Sequence, residues 1–295
     1  MERMMAVPVV MTAMGAAPES RQAMADLPEG LDVRDNAVFG QGGGRDLKLT
    51  LFSPKGARAR PLMPGMVYFH GGGWRGGNRE GLYRWAARSA ALGIVCASAE
   101  YRLSGEAFYP AAVEDAKCAV RWMRAHAKEL KVDPERIGCG GGSAGGHLAA
   151  MLATTAHLKA LEGKGGHEGI SSRVCLAVLL NPALDMLGFG GRGGHSAAVA
   201  FLGVPPEERP DLYREASPVT HVSKESAPCL IFHGTADPIV PYAQAVRFKE
   251  TMERAGAPVE LVGAEGEGHG YMASPAWFEK CCAKMDAWLK ERFGI

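Results

Sequence analysis

The sequence predicts an α/β fold with a mostly parallel central sheet flanked by helices. Short apolar runs typical of buried strands alternate with longer segments whose apolar residues recur at helical spacing. This alternation requires crossover connections, and crossovers place neighbouring strands parallel. The chain has 295 residues and contains no internal repeat or dividing linker. We therefore expect residues 31–295 to form a single domain.

The first half of the chain predicts a hairpin followed by three short buried strands. A glycine-rich connection at residues 40–44 separates the two hairpin strands. A long helix is predicted to begin near Pro110, because proline favours the first helical turn and apolar residues then recur at helical spacing. The predicted strands span residues 32–39, 47–52, 66–69, 93–98 and 136–139, and the predicted helices span residues 82–92 and 110–130.

The second half continues the alternation apart from one insertion. Predicted strands span residues 174–180, 228–233 and 259–262, and predicted helices span residues 144–157, 242–255 and 275–293. Residues 185–218 interrupt this pattern with a glycine-rich segment, a short apolar run and a proline pair. Insertions at the carboxyl ends of strands in an α/β sheet commonly overhang the active site. We interpret this one as a small flap that faces the substrate, with a disordered surface loop as the alternative.

Residues 1–30 are predicted to be a leader or an N-terminal arm. Residues 4–17 are mostly apolar and end in small side chains, as a signal peptide does. Pro8 interrupts this stretch and the residues before it are nearly neutral, which argues against that interpretation. We expect a secreted or periplasmic protein if the stretch derives from a signal peptide, and a cytoplasmic protein otherwise.

Charge and cysteine content exclude several classes of partner. The formal net charge is +1, so neither nucleic acid nor an anionic membrane is predicted as a partner. No apolar run reaches the length of a membrane span. The seven cysteines are odd in number, and their spacing fits neither a zinc site nor a disulfide framework. We expect a monomer or homodimer that binds a small substrate.

Residues 141–145 read Gly-Gly-Ser-Ala-Gly and fit the G-x-S-x-G pattern of a nucleophile elbow. A predicted strand precedes the motif and a predicted helix follows it, which is the context that an elbow requires. Glycine is needed because larger side chains would collide across so sharp a turn. A glycine-rich turn and a phosphate-binding loop are the alternatives, but no lysine follows as a P-loop requires. Ser143 is therefore the predicted nucleophile.

Residues 70–74 read His-Gly-Gly-Gly-Trp and directly follow a predicted strand. Backbone N–H groups aimed at the oxyanion of an acyl-transfer reaction are typically worth about 3–4 kcal/mol each. Glycine leaves such groups bare, and HGGG-type loops supply them in lipases and esterases. We predict an oxyanion hole formed by the N–H groups of Gly72, Gly73 and Ala144. A flexible glycine loop is the alternative.

His269 is the predicted general base among nine histidines. A serine hydroxyl needs a base within hydrogen-bond reach and an acid that orients this base. His269 lies in a glycine-rich loop after the last predicted strand, where it can meet the elbow. We expect His70 to brace the oxyanion loop, His147 to point away from the serine and His233 to support the acid loop. The others lie on predicted helices or in loops: His126, His157, His167, His195 and His221.

Asp237 is the predicted acid, because it follows a strand through a tight turn and precedes His269 in the chain. The resulting order, Ser then Asp then His, is the order found in α/β-hydrolases. The acid would fix the imidazole tautomer and stabilise the imidazolium ion. Asp185, after the preceding strand, is the rival carboxylate. Asp237 could instead be a simple turn residue before a proline.

With these residues placed, the chain resembles the α/β-hydrolase superfamily. The resemblance is to the HGGG-bearing esterases of the hormone-sensitive-lipase and acetyl xylan/feruloyl esterase groups. It covers the chain from residue 45 onward, through residues 70–74, 100–103, 109–115, 141–146, 233–241 and 268–270. Two departures favour the carbohydrate-ester group. Gly142 stands where hormone-sensitive-lipase relatives usually carry Asp, and residues 1–30 are short for the helical cap of those relatives.

The resemblance implies an α/β-hydrolase fold and a serine carboxylic ester hydrolase that works through an acyl-enzyme. Ser143, His269 and Asp237 would form its triad, and no metal or organic cofactor is needed. The implied substrates are short-chain esters, or acetyl and feruloyl esters of carbohydrates such as xylan. Candidate substrate contacts are Trp74, His195 and Tyr271. An arylformamidase or serine exopeptidase on the same fold is one alternative, and a non-enzymatic ligand-binding homologue is another.

Overall fold

A single eight-stranded sheet forms the centre of the protein. A computed structural model describes residues 27–189 and 192–295, so most of the predicted leader lies outside the described residues. The strands are β1 (Leu31–Gly42), β2 (Arg45–Pro54), β3 (Met63–Phe69), β4 (Val95–Ala99), β5 (Val132–Gly142), β6 (Ala177–Leu180), β7 (Cys229–Gly234) and β8 (Val259–Ala264). Their order across the sheet is β1-β2-β4-β3-β5-β6-β7-β8. Only β2 pairs antiparallel with its neighbours, β1 and β4.

Helices cover both faces of this sheet. They are α1 (Tyr83–Ala91), α2 (Ala111–Ala125), α3 (Ala127–Leu130), α4 (Ala144–Thr154), α5 (Arg192–Leu202), α6 (Pro210–Glu215), α7 (Tyr242–Ala255) and α8 (Pro275–Phe293). Helices α2, α4 and α7 contribute to one apolar core, and α1 and α8 contribute to the other. No helix within the described ranges is long and apolar enough to cross a bilayer.

The central strand β3 shows how the sequence produces two cores. Every residue of β3 is buried. Because successive side chains of a strand point to opposite faces, Val67 and Phe69 enter the core beside α2 and α4, whereas Met66 and Tyr68 enter the core beside α1 and α8. A strand buried on both faces therefore reads as a continuous apolar run, which is the pattern that predicts it in the sequence.

The predicted fold class is confirmed, with helices on both faces of a mostly parallel sheet. Several element boundaries differ from the prediction, and the helix predicted over residues 110–130 is divided into α2 and α3. Strand β5 begins at Val132, which pairs with Met63 of β3, rather than at residue 136. Helix α4 ends at Thr154, because the hydroxyls of Thr154 and Thr155 turn back to main-chain carbonyls one turn earlier. His157 consequently lies beyond the helix on which it was predicted.

The insertion at residues 185–218 contains regular structure. Helices α5 and α6 lie between two short 3₁₀ turns, Met186–Gly188 and Pro218–His221. His195 is exposed on α5, so the expectation that it lies in a loop was wrong. The glycine-rich sequence suggested a loop, yet the small side chains allow α5 to pack closely. A Cβ at Gly194 would lie 2.5 Å from the carbonyl oxygen of Ile239. The interpretation as a substrate-facing flap stays a prediction.

Candidate active site

Ser143 lies at the sharp turn between β5 and α4, with φ 54° and ψ −114°. Contacts across this turn explain the glycines of the motif. A Cβ at Gly141 would lie 2.3 Å from the carbonyl oxygen of Gly145, and a Cβ at Gly145 would lie 1.9 Å from that of Phe69. Both separations are far below van der Waals contact. The glycines thus permit the strained backbone conformation of Ser143, with its positive φ. A side chain at Gly141 or Gly145 would force the turn to move.

Two hydrogen-bond contacts through His269 link the three residues predicted to form the triad. His269 Nε2 is 2.9 Å from Ser143 Oγ, and His269 Nδ1 is 2.6 Å from Asp237 Oδ2. With the imidazole proton on Nδ1, His269 donates to the carboxylate and accepts from the serine hydroxyl. The side chain of Asp237 is fully buried, whereas that of His269 is 19% exposed. This arrangement can move a proton from Ser143 to His269 beside a fixed negative charge.

Asp237 is held as an anion by donors on both carboxylate oxygens. Oδ1 accepts from the backbone N–H groups of Ile239 (2.8 Å) and Val240 (3.0 Å). Oδ2 faces His269, and His233 Nε2 also lies 3.3 Å from it. Burial raises the pKa of the Asp237 carboxyl, but the N–H groups of His233, His269 and Val240 lower it by more. The net result is a pKa well below the usual value for aspartate.

The rival carboxylate, Asp185, has a different set of contacts. Its Oδ1 accepts from the N–H of Leu187 at the first 3₁₀ turn of the insertion (3.1 Å), and its Oδ2 pairs with Arg247 of α7. Its backbone N–H donates to the side-chain oxygen of Gln244 (3.0 Å). These contacts tie the start of the insertion to α7, so Asp185 stabilises the fold around the site.

The glycine loop at residues 70–74 lies directly against the serine turn. A Cβ at Gly71 would lie 3.3 Å from Ser143 Cβ. Gly72 and Gly73 have φ values of 120° and 59°, which favour glycine. The N–H groups of Gly72, Gly73 and Ala144 donate to no backbone carbonyl in the turns and loops that the structure describes. Ala144 is the first residue of α4, where backbone N–H groups have no intrahelical partner.

His70 braces this loop from below. Its Nδ1 lies 2.7 Å from the carbonyl oxygen of Gly71, and its ring stacks on Tyr101 with centroids 4.3 Å apart. The Tyr101 hydroxyl donates to the His70 carbonyl (2.9 Å). Burial lowers the pKa of His70. A neutral, stacked imidazole therefore fixes the chain where it leaves β3.

Trp74 faces the interior instead of the space above Ser143. Its ring is 2% exposed and stacks on Phe201 of α5, with centroids 4.6 Å apart. Its Nε1–H donates to His147 Nδ1 (3.3 Å), and His147 Nε2–H donates to the carbonyl oxygen of Ala216 (2.8 Å). Such burial leaves the indole little surface for a substrate. Trp74 therefore packs between the loop at residues 70–74 and α5, and its contact with substrate stays a prediction.

His147 is fully buried on α4, one turn after Ser143, and points away from the serine as expected. Its two ring nitrogens connect Trp74 on the oxyanion loop with Ala216 beyond α6. Burial lowers the pKa of His147 to about 4. Near neutral pH this imidazole is therefore an uncharged bridge between the serine helix and the insertion.

The other two candidate substrate contacts differ in exposure. His195 lies on the exposed side of α5, and its contact with substrate stays a prediction. Tyr271 is 6% exposed; its ring packs edge-on against Trp277, and its hydroxyl lies 3.9 Å from Cys281 Sγ on α8. That position anchors the loop after His269 to α8, and the contact of Tyr271 with substrate stays a prediction.

Asn181 completes the site, and the sequence patterns did not predict its role. It follows β6 with φ 43°, in the left-handed region. Its Nδ2 donates to the main-chain carbonyl of His269, and its Oδ1 accepts from the N–H of Gly234 (3.3 Å). One amide thus joins the loop of the base to the strand that leads to the acid. The available signal is an Asn-Pro pair directly after a buried strand, which by itself indicates only a strand end.

The order of strands, the serine at a strand–helix turn and the later Asp and His together define an α/β-hydrolase. Comparison with known families agrees. The chain belongs to the BD-FAE family of α/β-hydrolase-type esterases, whose family model matches residues 49–252.

Individual proteins similar to this chain are esterases. Esterase LipQ of Mycobacterium tuberculosis is 31% identical over 221 residues, an alignment that covers 73% of this chain and 52% of LipQ. The chain spans about half the length of the curated relatives it matches.

Alignments with similar solved structures cover nearly the whole of those chains. A truncated form of a carbohydrate esterase from gut microbiota has a TM-score of 0.79 and 26% identity, covering 90% of this chain and 97% of that one. Esterase Est2 of Thermogutta terrifontis with bound propionate has a TM-score of 0.75 and 34% identity, covering 90% and 96%. The same enzyme has also been solved with butyrate.

Proposed function

We propose that this protein is a serine carboxylesterase that cleaves short-chain acyl esters, including acetyl or feruloyl esters carried by carbohydrates. The observation that carries the proposal is the hydrogen-bonded line from Ser143 Oγ through His269 to a buried Asp237, with separations of 2.9 and 2.6 Å. The carbohydrate esterase among the similar structures, and the propionate and butyrate bound to Est2, support the class of substrate.

In the proposed mechanism, His269 Nε2 removes the proton of Ser143 as Oγ attacks the ester carbonyl carbon. The negative charge that develops on the carbonyl oxygen is stabilised by the N–H groups of Gly72, Gly73 and Ala144. His269 then returns the proton to the leaving alcohol as the C–O bond breaks. Water, deprotonated by His269, releases the acyl group from Ser143 by the reverse path.

Asp237 would contribute orientation and charge to this sequence. It accepts from His269 Nδ1, which directs the lone pair of Nε2 at Ser143. The donors around both carboxylate oxygens keep the pKa of Asp237 low and the carboxylate ionised, so it stabilises the imidazolium ion without taking the proton itself.

Initial rates test the proposal. The substrates are the p-nitrophenyl esters of acetate, butyrate and octanoate, with acetylated xylan and methyl ferulate for the carbohydrate class. We expect hydrolysis of the short esters, little of the octanoate, and at least about a 10⁴-fold lower rate in Ser143→Ala, which removes the nucleophile. Near wild-type rates in Ser143→Ala would contradict the assignment of the nucleophile. Amide and formamide substrates, run in parallel, would reveal an exopeptidase or an arylformamidase.

A further inference from the structure

His233 is a buried histidine that the mechanism above does not use. It lies near the end of β7, four residues before Asp237, and is 0% exposed. Its Nε2 lies 2.9 Å from the carbonyl oxygen of Val240 and 3.3 Å from Asp237 Oδ2. A carbonyl oxygen only accepts, so Nε2 carries the proton. One N–H group therefore faces two acceptors, one of which is the carboxylate oxygen that receives His269.

The surroundings of Nδ1, the second ring nitrogen, indicate which tautomer of His233 is present. Nδ1 is buried and has no hydrogen-bond partner among the described residues. A proton on Nδ1 would leave an N–H group buried without an acceptor, which is costly. The contacts therefore favour the tautomer that carries its proton on Nε2, where Val240 and Asp237 can accept it.

The two oxygens of the Asp237 carboxylate have different donors, so the Nε2–H group of His233 affects one of them in particular. Oδ1 already receives two backbone N–H groups, from Ile239 and Val240, whereas Oδ2 receives only side-chain donors. The titratable groups nearest to this carboxylate are His269 from the loop after β8, His233 from β7 and Tyr271 beyond His269, with Tyr242 of α7 edge-on to the His233 ring. Of these, His269 also contacts Ser143, whereas His233 contacts the carboxylate and the Val240 carbonyl.

We propose that His233 is a positioning residue for the reaction: its Nε2–H fixes the 237–240 turn and helps to hold the Asp237 carboxylate ionised and aimed at His269. This inference rests on the proposed esterase function. His233 does not touch the substrate or the reacting atoms; it acts through Asp237. In its absence the 237–240 turn loses its contact at the Val240 carbonyl, and the affinity of the carboxylate for a proton rises because one donor is lost.

The test compares His233→Leu, which removes the donor, with His233→Gln, whose amide N–H can reach the same acceptors. The matched control is Tyr242→Leu, which removes the aromatic ring packed edge-on against His233 at 5.8 Å and leaves the donor in place. Each variant is assayed for kcat, KM and the pH dependence of kcat/KM with p-nitrophenyl acetate, beside wild type and Ser143→Ala.

We expect His233→Leu to lower kcat by about 10- to 100-fold, the worth of a hydrogen bond to a charged group, with little change in KM. The acid limb of its kcat/KM profile should move to higher pH, because the Asp237–His269 pair binds its proton more readily. His233→Gln should recover most of kcat, and its acid limb of kcat/KM should lie at the wild-type pH. Tyr242→Leu should also keep the wild-type position of this limb. A wild-type kcat in His233→Leu would overturn the inference. A lower kcat in this variant would also overturn it if the acid limb of kcat/KM stayed in place and His233→Gln did not restore kcat.

A second readout does not depend on turnover. The proton shared by His269 Nδ1 and Asp237 Oδ2 should give a slowly exchanging downfield proton resonance in wild type and in His233→Gln. In His233→Leu it should exchange faster, and an unchanged resonance there would contradict the role of His233. If His233→Leu fails to fold, His233→Asn replaces it, because its shorter amide ends near the Nδ1 position. Wild-type protein inactive on every ester would instead contradict the proposed function, and the resonance would still test His233.

Discussion

Contacts between backbone atoms position Ser143, whereas side-chain hydrogen bonds position His269 and Asp237. At the elbow, Gly141 and Gly145 face main-chain oxygens at separations that admit no side chain. On the other side of the site, the amide of Asn181 and the imidazole of His233 hold the base loop and the acid turn. Steric positioning is rigid and tolerates no substitution, and hydrogen-bond positioning is weaker and can be removed one donor at a time. The following predictions test this difference.

Gly145→Ala should have the largest effect. The added Cβ would lie 1.9 Å from the carbonyl oxygen of Phe69 and 2.5 Å from that of His70, so β3 or the elbow must move. We expect a loss of about 3 kcal/mol or more in the free energy of unfolding, with loss of ester hydrolysis. Denaturant unfolding and p-nitrophenyl acetate hydrolysis measure the two effects. A stable, active variant would show that the elbow is held by something other than steric contact.

Asn181→Ala should have a smaller effect that falls mainly on kcat. The change leaves the His269 carbonyl and the Gly234 N–H without their partner, which costs about 1–3 kcal/mol, and it places alanine in a left-handed conformation. We expect kcat to fall by about tenfold or more and KM to stay nearly constant. Asn181→Asp is the companion variant: it keeps the acceptor for Gly234 but replaces the donor to the His269 carbonyl with a carboxylate oxygen that repels this carbonyl. Equal kcat values in Asn181→Ala and wild type would remove Asn181 from the support of His269.

His147→Gln tests a side-chain bridge on the serine side, from Trp74 to Ala216. Burial lowers the pKa of His147 to about 4, so between that pH and the unfolded value of about 6.5 the unfolded chain binds the proton and the folded protein does not. The wild type should therefore lose up to about 1.4 kcal/mol of stability per pH unit as pH falls through this window. The Gln variant should be less stable at pH 7 and should depend less on pH.

Thermal unfolding of both proteins at several pH values between about 4 and 7 measures this difference. The comparison between wild type and His147→Gln isolates His147, because every other titrating group is common to both. Parallel curves for the two proteins would contradict a neutral, buried His147.

Gly142→Ala should have the smallest effect and the opposite sign. This glycine lies within the same motif, yet a Cβ there meets nothing within 4 Å. Alanine reduces the conformational freedom of the unfolded chain, so we expect a gain of about 0.5 kcal/mol in the free energy of unfolding and nearly unchanged turnover. Denaturant unfolding beside Gly145→Ala gives the contrast directly. A loss as large as that of Gly145→Ala would mean that the motif requires glycine throughout.

The same contrast explains what could be predicted from the sequence. Steric positioning leaves a local pattern, and the glycines around Ser143 are sufficient to predict the elbow. The positions of Asp237 and His269 follow from the order of strands, and the structure places both beside Ser143. Their catalytic roles stay a proposal until Ser143→Ala is measured.

The remaining features depend on distances between segments far apart in the chain. Asn181 meets His269 across 88 positions, and no local pattern reports such a contact. The packing of Trp74 on Phe201 depends on α5, a helix that the glycine-rich sequence did not indicate. The packing of Tyr271 depends in the same way on α8, which contacts the loop after His269.

Helix α5 touches both sides of the site. A Cβ at Gly73 would lie 3.3 Å from that of Ala197, and Gly194 approaches the carbonyl of Ile239 beside the acid turn. The helix therefore connects the glycine loop at residues 70–74 with the 237–240 turn. A substitution that shifts this helix would therefore displace the glycine loop and the 237–240 turn together, although neither segment is changed in sequence.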